Sequence, residues 1–306
     1  MVDASVIVPV RNGAATLART LDALAAQDFP GTYEVLVVDN GSTDDTVAIA
    51  EAAPGPVTVL TKPPSPGPGE GRNLGVASST GAALAFCDAD VFPTPGWLRE
   101  GVAALESADL VQGKVLPDPD TPMRTFDRSL WITYEVGLWE TANLFVRRET
   151  FDGVGGFEDW LFPGKGRVMG EDVWFGWRAV RAGARTAFAE DALAHHAVFE
   201  RGARDYVAER ARLRFFPAMA AKAPELRHKF FFARVFLSRR SAAFDLALAG
   251  LGAARLLRSP VPLLALAPYV WMNRHRRRAA PVEVVADAVG LAAMLRGTVA
   301  YRSPLL

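Results

Sequence analysis

Cysteine occurs once in 306 residues, at Cys87. That excludes a disulfide framework within the chain and points to a reducing compartment, so the cytoplasm is the expected location. No stretch reaches the roughly 18–20 uninterrupted apolar residues of a spanning helix. The opening "MVDASVIVPV" lacks a basic segment ahead of a longer apolar core. It reads at once as a strand, and no signal peptide is expected. Internal repeats are lacking, and low complexity is confined to a Pro/Gly loop at 63–71. Neither charge sign is in excess, since 34 Lys and Arg meet 34 Asp and Glu.

That balance conceals an asymmetry. Residues 1–200 hold 15 basic against 28 acidic side chains, whereas residues 201–306 hold 19 against 6. An acidic body argues against nucleic acid as its ligand. A basic tail calls for an anionic partner or a solvated surface. Half of the chain is apolar, enough for one large α/β domain with an appendage, or for two domains.

The first 120 or so residues alternate apolar runs with helical spacing. "ASVIVPV", "YEVLVVDN", "PVTVL" and "GAALAFCDAD" read as strands. "AATLARTLDALAAQ", "TDDTVAIAEAA" and "RNLGVASS" read as helices, the second capped by Thr43 or Asp44. Val- and Ile-rich strands alternating with helices predict right-handed βαβ units and a mostly parallel sheet. Ligands of such sheets bind outside the carboxyl ends of the strands. Those ends are polar here, so Arg11, Asp39, Asn40, Ser42, Asp88 and Asp90 are expected to converge. Residues 121–200 are aromatic and less regular, with "MGEDVWFGWRAVRAG" helical from Glu171 onward.

In "CDADVF" two acids stand one residue apart where a buried strand stops. Residues i and i+2 of an extended segment point the same way, so Asp88 and Asp90 can share one cation. Oxygen ligands favour Mg²⁺ or Mn²⁺, which bind through one or two carboxylates plus substrate phosphates. The plainer reading of a bare D-x-D is a turn with solvated acids. "VVDNGSTDDT" offers Asp39 either to a ligand donor or to an Asx turn, with Gly41 permitting the bend. "GPGEGRNLG" places glycines just before a helix, and Arg72 adds a positive charge, which suits an anion or a flexible loop with a solvated Arg equally.

As an ordered set these segments resemble family 2 glycosyltransferases of the GT-A fold. The likeness runs from "SVIVPVRNGAATLARTLDALAAQDFP" through "YEVLVVDNGSTDDT" and "GRNLGVASSTGAALAFCDADVFPTPGWL". It continues in "NLFVRRETFDGVGGFED" and "GEDVWFGWRAVRAG", to about residue 200. The resemblance implies inverting transfer from a nucleotide diphosphate sugar with a divalent metal, Mg²⁺ or Mn²⁺. It implies that Pro9, Arg11 and Asn12 border the nucleotide, together with Asn40, Ser42 and Arg72. Asp39 would bind the base, Asp88 the ribose or metal, and Asp90 would be the main metal ligand. It further implies Asp172 as the base that takes the acceptor's proton, with Glu171 orienting it or binding acceptor. Taken alone, that acid pair complements a helix N-terminus. Some family members use a histidine near "ALAHHAV" as a metal or diphosphate ligand. Alternation sends His195 and His196 to opposite faces, and His196 fits the family spacing better. Trp174 and Trp177 read as core or as a sugar-stacking floor.

The tail carries "AAFDLALAGLGAARLL", "VPLLALAPYVWM" and "VEVVADAVGLAAMLRGTVA", with Arg274, Arg276, Arg277 and Arg278 between the last two. Short apolar stretches flanked by arginine suit a helix in the membrane interface or a re-entrant hairpin on the anionic inner face of the cell membrane. The alternative is a helical subdomain packed on the body or in a dimer. The expected organisation is a GT-A domain over 1–215 and a basic, apolar helical region over 216–306. The expected partners are a nucleotide sugar donor, a glycan or lipid-linked acceptor of the cell envelope, an anionic membrane surface and a second copy in an oligomer, with no nucleic acid. Two rivals stand beside this reading. A sugar-nucleotide nucleotidyltransferase would want a Gly-rich basic loop after the first strand, where "PVRNGAAT" is thin. A non-catalytic membrane-associated scaffold would be expected to have lost an acid, whereas Asp39, Asp88, Asp90, Glu171 and Asp172 are all in place.

Overall fold

The computed structural model describes residues 2–164, 167–276 and 278–306. Arg277 of the tail cluster therefore lies outside the described residues. The chain divides into two compact units, Met1–Met123 with Arg128–Phe199, and Arg124–Asp127 with Glu200–Leu306.

The first unit begins with β1 (Ala4–Val10), β2 (Tyr33–Asp39), β3 (Val57–Thr61) and β4 (Ala83–Cys87). Then come β5 (Val91–Pro93), β6 (Leu110–Pro117), β7 (Asn143–Arg147), a hairpin of β8 (Leu161–Gly164) and β9 (Arg167–Met169), and β10 (Thr186–His196). Eight of these strands form one sheet in the order β3-β2-β1-β4-β7-β6-β10-β5. β1 pairs in parallel with both β2 and β4, β2 with β3, and β6 with β10. The antiparallel pairs are β4–β7, β6–β7 and β5–β10. Every residue of β1 and β4 is buried, which is why these strands read as continuous apolar runs instead of alternating ones.

Pro9 sits near the end of β1, in the middle of the sheet, where proline costs a ladder bond. The pairing with β4 has already ended at Ile7, while that with β2 continues to Val10. The two strands therefore part where the order turns from β1 to β4, and the crevice opens there.

Six helices flank this sheet: α1 (Leu17–Ala25), α2 (Thr46–Glu51), α3 (Gly69–Ala77), α4 (Trp97–Ala104), α5 (Arg148–Val154) and α6 (Glu171–Arg181). α1 buries Leu17, Leu21 and Leu24, one stripe at helical spacing. α2 starts later than a cap on Thr43 or Asp44 would put it. The Thr43 N–H donates to Asn12 Oδ1 at 2.9 Å and Asp44 accepts from the Thr46 N–H at 3.2 Å, so these residues tie the loop before the helix begins.

The second unit is helical: α7 (Ala203–Glu209), α8 (Phe216–Lys222), α9 (Leu226–Lys229), α10 (Arg239–Leu257), α11 (Ala267–Met272) and α12 (Ala280–Tyr301). A reciprocal capping box between Ser238 and Ser241 starts α10. Glu283 is fully buried, and its charge is met by Arg240 and Arg276 at 2.7 Å each and by the Tyr206 hydroxyl at 2.8 Å. Among the described residues no helix is long and apolar enough to cross a membrane. Leu256, Leu257, Val261, Leu264, Val270 and Trp271 are nevertheless 62–83% exposed.

Candidate active site

The carboxyl ends of β1, β2 and β4 lie side by side, and most of the expected residues follow them. The loops after β1 and β2 are laced together. Ser42 Oγ accepts from the Asn12 N–H at 2.8 Å. Asp39, almost fully buried, accepts from the backbone N–H groups of Gly41 and Ser42 at 3.1–3.2 Å. That is an Asx turn, with Gly41 at φ +72°. Asn40 Oδ1 accepts from the Ser65 N–H at 2.8 Å and from Lys62 Nζ at 3.1 Å, fixing the Pro/Gly loop. Between these loops lies a cleft of about 210 Å³ lined by Pro9, Arg11, Asn40, Ser65, Gly67 and Gly71. Its lining is mostly proline and glycine, with Arg11, Asn40 and Ser65 as the polar groups.

Asp88 and Asp90 follow β4. Arg72 donates to Asp88 Oδ1 at 2.9 Å and to Glu171 Oε1 at 3.3 Å, and its side chain is only 4% exposed. One buried guanidinium thus joins the acid pair after β4 to the acid pair that opens α6. Its third face lies 5.7 Å from the Phe157 ring. Arg72 is therefore held by site acids and does not offer a free head to the cleft.

Asp90 and His196 meet because β5 pairs with β10, setting Val91 opposite His196. His196 Nε2 lies 3.5 Å from Asp90 Oδ2, while His195 turns to the Pro117 carbonyl. His196 Nδ1 lies 2.7 Å from the Ala197 carbonyl, which only accepts, so Nδ1 carries the hydrogen. His196 Nε2 therefore faces the Asp90 carboxylate directly. Burial first, and then the neighbouring charge of Asp88, push the Asp90 carboxyl above its usual range. A cation shared by Asp88 and Asp90 removes that repulsion, so the residues present fit a divalent ion. Among the described residues no three His, Cys, Asp or Glu side chains close a complete metal site. Mg²⁺ and Mn²⁺ sites of this kind take their remaining ligands from water and substrate phosphate.

α6 opens after Gly170, which is left-handed at φ +71° and holds the Trp160 indole on its carbonyl at 2.7 Å. Glu171 is buried against Arg72. Asp172 is half-buried. Burial, and next Glu171, raise its carboxyl well above the carboxylate range. A carboxylate so destabilised is a ready proton acceptor. Trp177 belongs to the core, donating to the Gly137 carbonyl at 2.9 Å, and Trp174 is covered by Arg178 and Arg181.

Two acids near the site escape the sequence reading. Asp159, in "FEDWLF", is raised by burial and by Glu171. Glu140, in "LWETAN", acts electrostatically on Asp172. Neither stands in a periodic element. The only signal was an acid next to a tryptophan, Trp160 or Trp139.

The sequence pattern described as Glycosyl transferase family 2 matches residues 5–158, and that described as Glycosyl transferase family group 2 matches residues 84–273. The chain is 35% identical over 206 residues to the glycosyltransferase AglE of Haloferax volcanii, covering 63% of this chain and 66% of that protein. It is 30% identical over 231 residues to the pre-mycofactocin glycosyltransferase of Mycobacterium tuberculosis, covering 68% of this chain and 45% of that one. The matches thus span just under two thirds and under half of these relatives. Among solved structures the fold resembles the mannosyltransferase PcManGT from Pyrobaculum calidifontis in complex with GDP-Man and Mn²⁺. The TM-score is 0.68 at 22% identity, over 98% of this chain and 87% of the other. It also resembles S. aureus TarS 1–349 in complex with UDP-GlcNAc, with a TM-score of 0.53 at 22% identity, over 98% and 91%. The mixed α/β sheet of eight strands is a GT-A fold.

Proposed function

We propose that this chain, which belongs to glycosyltransferase family 2, transfers a sugar from a nucleotide diphosphate sugar to an acceptor with inversion at the anomeric carbon. The observation that carries the reading is the Arg72 bridge, which sets a cation-fitting acid pair beside a base-fitting one. Pro9, Arg11, Asn12 and Asn40 border the base and ribose, with Asp39 and Ser42 shaping the loop that receives them. Asp90 and Asp88, with His196 alongside, would hold Mg²⁺ or Mn²⁺. That ion would draw off the charge that develops on the leaving diphosphate.

Asp172 takes the proton from the acceptor hydroxyl. The hydroxyl oxygen bonds to the anomeric carbon on the face opposite the diphosphate. The carbon–oxygen bond to the diphosphate breaks, and its electron pair leaves with the phosphate oxygen. Glu171 stays on Arg72, so that a charged neighbour keeps Asp172 basic. Residues 1–215 do this chemistry in our reading, and residues 216–306 serve location.

For the tail we propose peripheral contact with an anionic membrane and, with it, a lipid-linked or cell-envelope acceptor. Six large apolar side chains standing in water each forgo roughly 1.5–3 kcal/mol of burial. Arg255, Arg258, Arg274 and Arg278 in the same stretch supply the charge that anionic headgroups attract.

Thermal shift with nucleoside diphosphates, with Mn²⁺ or with chelator, tests the donor half. Ligand at a hundred times its Kd stabilises the native state by about 2.7 kcal/mol. A rise in Tm that needs the metal, and whose metal dependence Asp90→Ala removes, is expected. Equal shifts with and without chelator would overturn the metal assignment, and no shift with any nucleoside diphosphate would overturn the donor.

A further inference from the structure

The segment between β6 and β7 brings an acid to the base. Trp139, 1% exposed, lies so close over α6 that a Cβ on Gly176 would stand 2.1 Å from its ring. Gly176 is one helical turn after Asp172 on the same face of α6. The next residue is Glu140, whose backbone carbonyl accepts from Gln112 Nε2 at 3.1 Å and from the Asn143 N–H at 3.2 Å. The backbone is thus pinned from both sides, and the Glu140 side chain is delivered close enough for its charge to act on Asp172.

That carboxylate has no ion-pair or side-chain hydrogen-bond partner among the described residues; only its own backbone N–H favours it. The residue is half-buried, and burial pushes its carboxyl up to about 7, with Glu135 adding to the rise. The guanidinium next to these acids, Arg72, is bonded to Asp88 and Glu171. Trp131 and Tyr134, 53% and 66% exposed, stand earlier on the same segment.

We propose that Glu140 is a positioning residue for the acceptor, and that the group entering beside Asp172 is a neutral polyol, a sugar ring offering hydroxyls, and not a phosphate or carboxylate. This rests on the reading of Asp172 as the base. A half-buried carboxyl without a protein partner can be completed by a hydroxyl, which donates to it and presents no charge. An anion there would face Asp172 and Glu140 together. A phosphate monoester also arrives already deprotonated and has no use for a base, whereas a base is what α6 presents. Aromatic faces suit the C–H surface of a sugar ring, and Trp131 and Tyr134 are exposed on the segment that carries Glu140. A lipid-linked acceptor would therefore enter by its sugar end.

Saturation-transfer NMR on the full chain, with Mg²⁺ and a nucleoside diphosphate present, tests this with methyl α-mannopyranoside, methyl β-glucopyranoside and methyl phosphate. At least one hexoside is expected to bind the wild type and methyl phosphate is not. Glu140→Ala is expected to weaken that hexoside about tenfold, and Glu140→Gln less, because the amide still accepts a hydrogen bond. The pH profile of nucleotide diphosphate release from donor gives a readout that a purely structural role would leave alone. Glu140→Gln removes a like charge from Asp172, so the acid limb is expected to move to lower pH. Methyl phosphate binding as tightly as the hexosides, absence of any hexoside binding, hexoside affinity unchanged in both variants, or an unmoved acid limb would each overturn the proposal. Failure of the wild type to bind any nucleoside diphosphate would instead bring down the transferase reading, and this inference with it.

Discussion

Replacing Arg72 with glutamine removes a positive charge bonded to both acid pairs of the site. The guanidinium is 4% exposed and its partner Glu171 is 8% exposed, so solvent does little to replace what is lost. Asp88, at 34%, is better placed to find water. Removing one partner of a buried ion pair costs roughly 3–5 kcal/mol, because the other charge is left uncompensated. The stability of a whole domain is only about 5–15 kcal/mol. Urea unfolding of Arg72→Gln, followed by a probe of the first unit, is therefore expected to show a large loss. Adding Glu171→Gln should recover part of it, since the stranded carboxylate is then gone. A double-mutant cycle should give a coupling of roughly 1–3 kcal/mol. A loss under about 1 kcal/mol would put the pair in the range of exposed salt bridges and refute the buried bridge. A large loss with no coupling would mean that Glu171 is not the partner that matters.

Three further outcomes follow from the same geometry. Asp172→Asn should fold and bind nucleotide diphosphate as the wild type does, yet transfer sugar at least about a hundredfold slower. Because its carboxyl is raised by burial and by Glu171, wild-type activity should fall with decreasing pH on a limb above the ordinary carboxylate range, and a flat profile down to pH 4 would contradict it. In the second unit, both Asp245 oxygens are buried without a hydrogen-bond partner, and burial, then Asp287, raise its carboxyl from 3.8 to about 6. A group raised in the folded state destabilises it as pH rises through that interval. Asp245→Asn should therefore melt higher than the wild type at pH 8 and lose that advantage toward pH 4, and pH-independent melting differences would exclude the cause. The full chain should co-sediment with anionic vesicles, come off partly in high salt and fully in detergent, and do so less well with Leu264→Ser and Trp271→Ser. A chain that stays in the supernatant would make the helical unit a soluble or dimeric one.

Much of this was legible in the sequence, for identifiable reasons. β1 and β4 are covered on both faces, so burial wrote itself as unbroken Val, Ile and Ala runs. The parallel topology then fixes which ends share an edge, and Arg11, Asp39 and Asp88 stand at or just past neighbouring ends. What stayed hidden depends on partners far along the chain. Arg72 finds Asp88 16 residues away and Glu171 99 away, so a reading of "GEGRNLG" as an anion loop had no means of seeing the acids that hold it. His196 reaches Asp90 only through the antiparallel pairing of β5 with β10. Glu140 is placed by Gln112 and by the seat of Trp139 on Gly176, within a segment that has no period to read. The tail showed apolar residues at sequence level, but which of them face water, Leu264 and Trp271 among them, needed the helices to be folded.

The account turns on a single displacement with Asp172 as base, and the configuration of the product tests it most directly. A donor whose sugar is α-linked to its diphosphate should yield a β-linked product, read from the anomeric proton coupling in NMR, with the yield collapsing in Asp172→Asn. An α-linked product from the wild type would contradict the account, because attack from the face opposite the diphosphate cannot retain configuration.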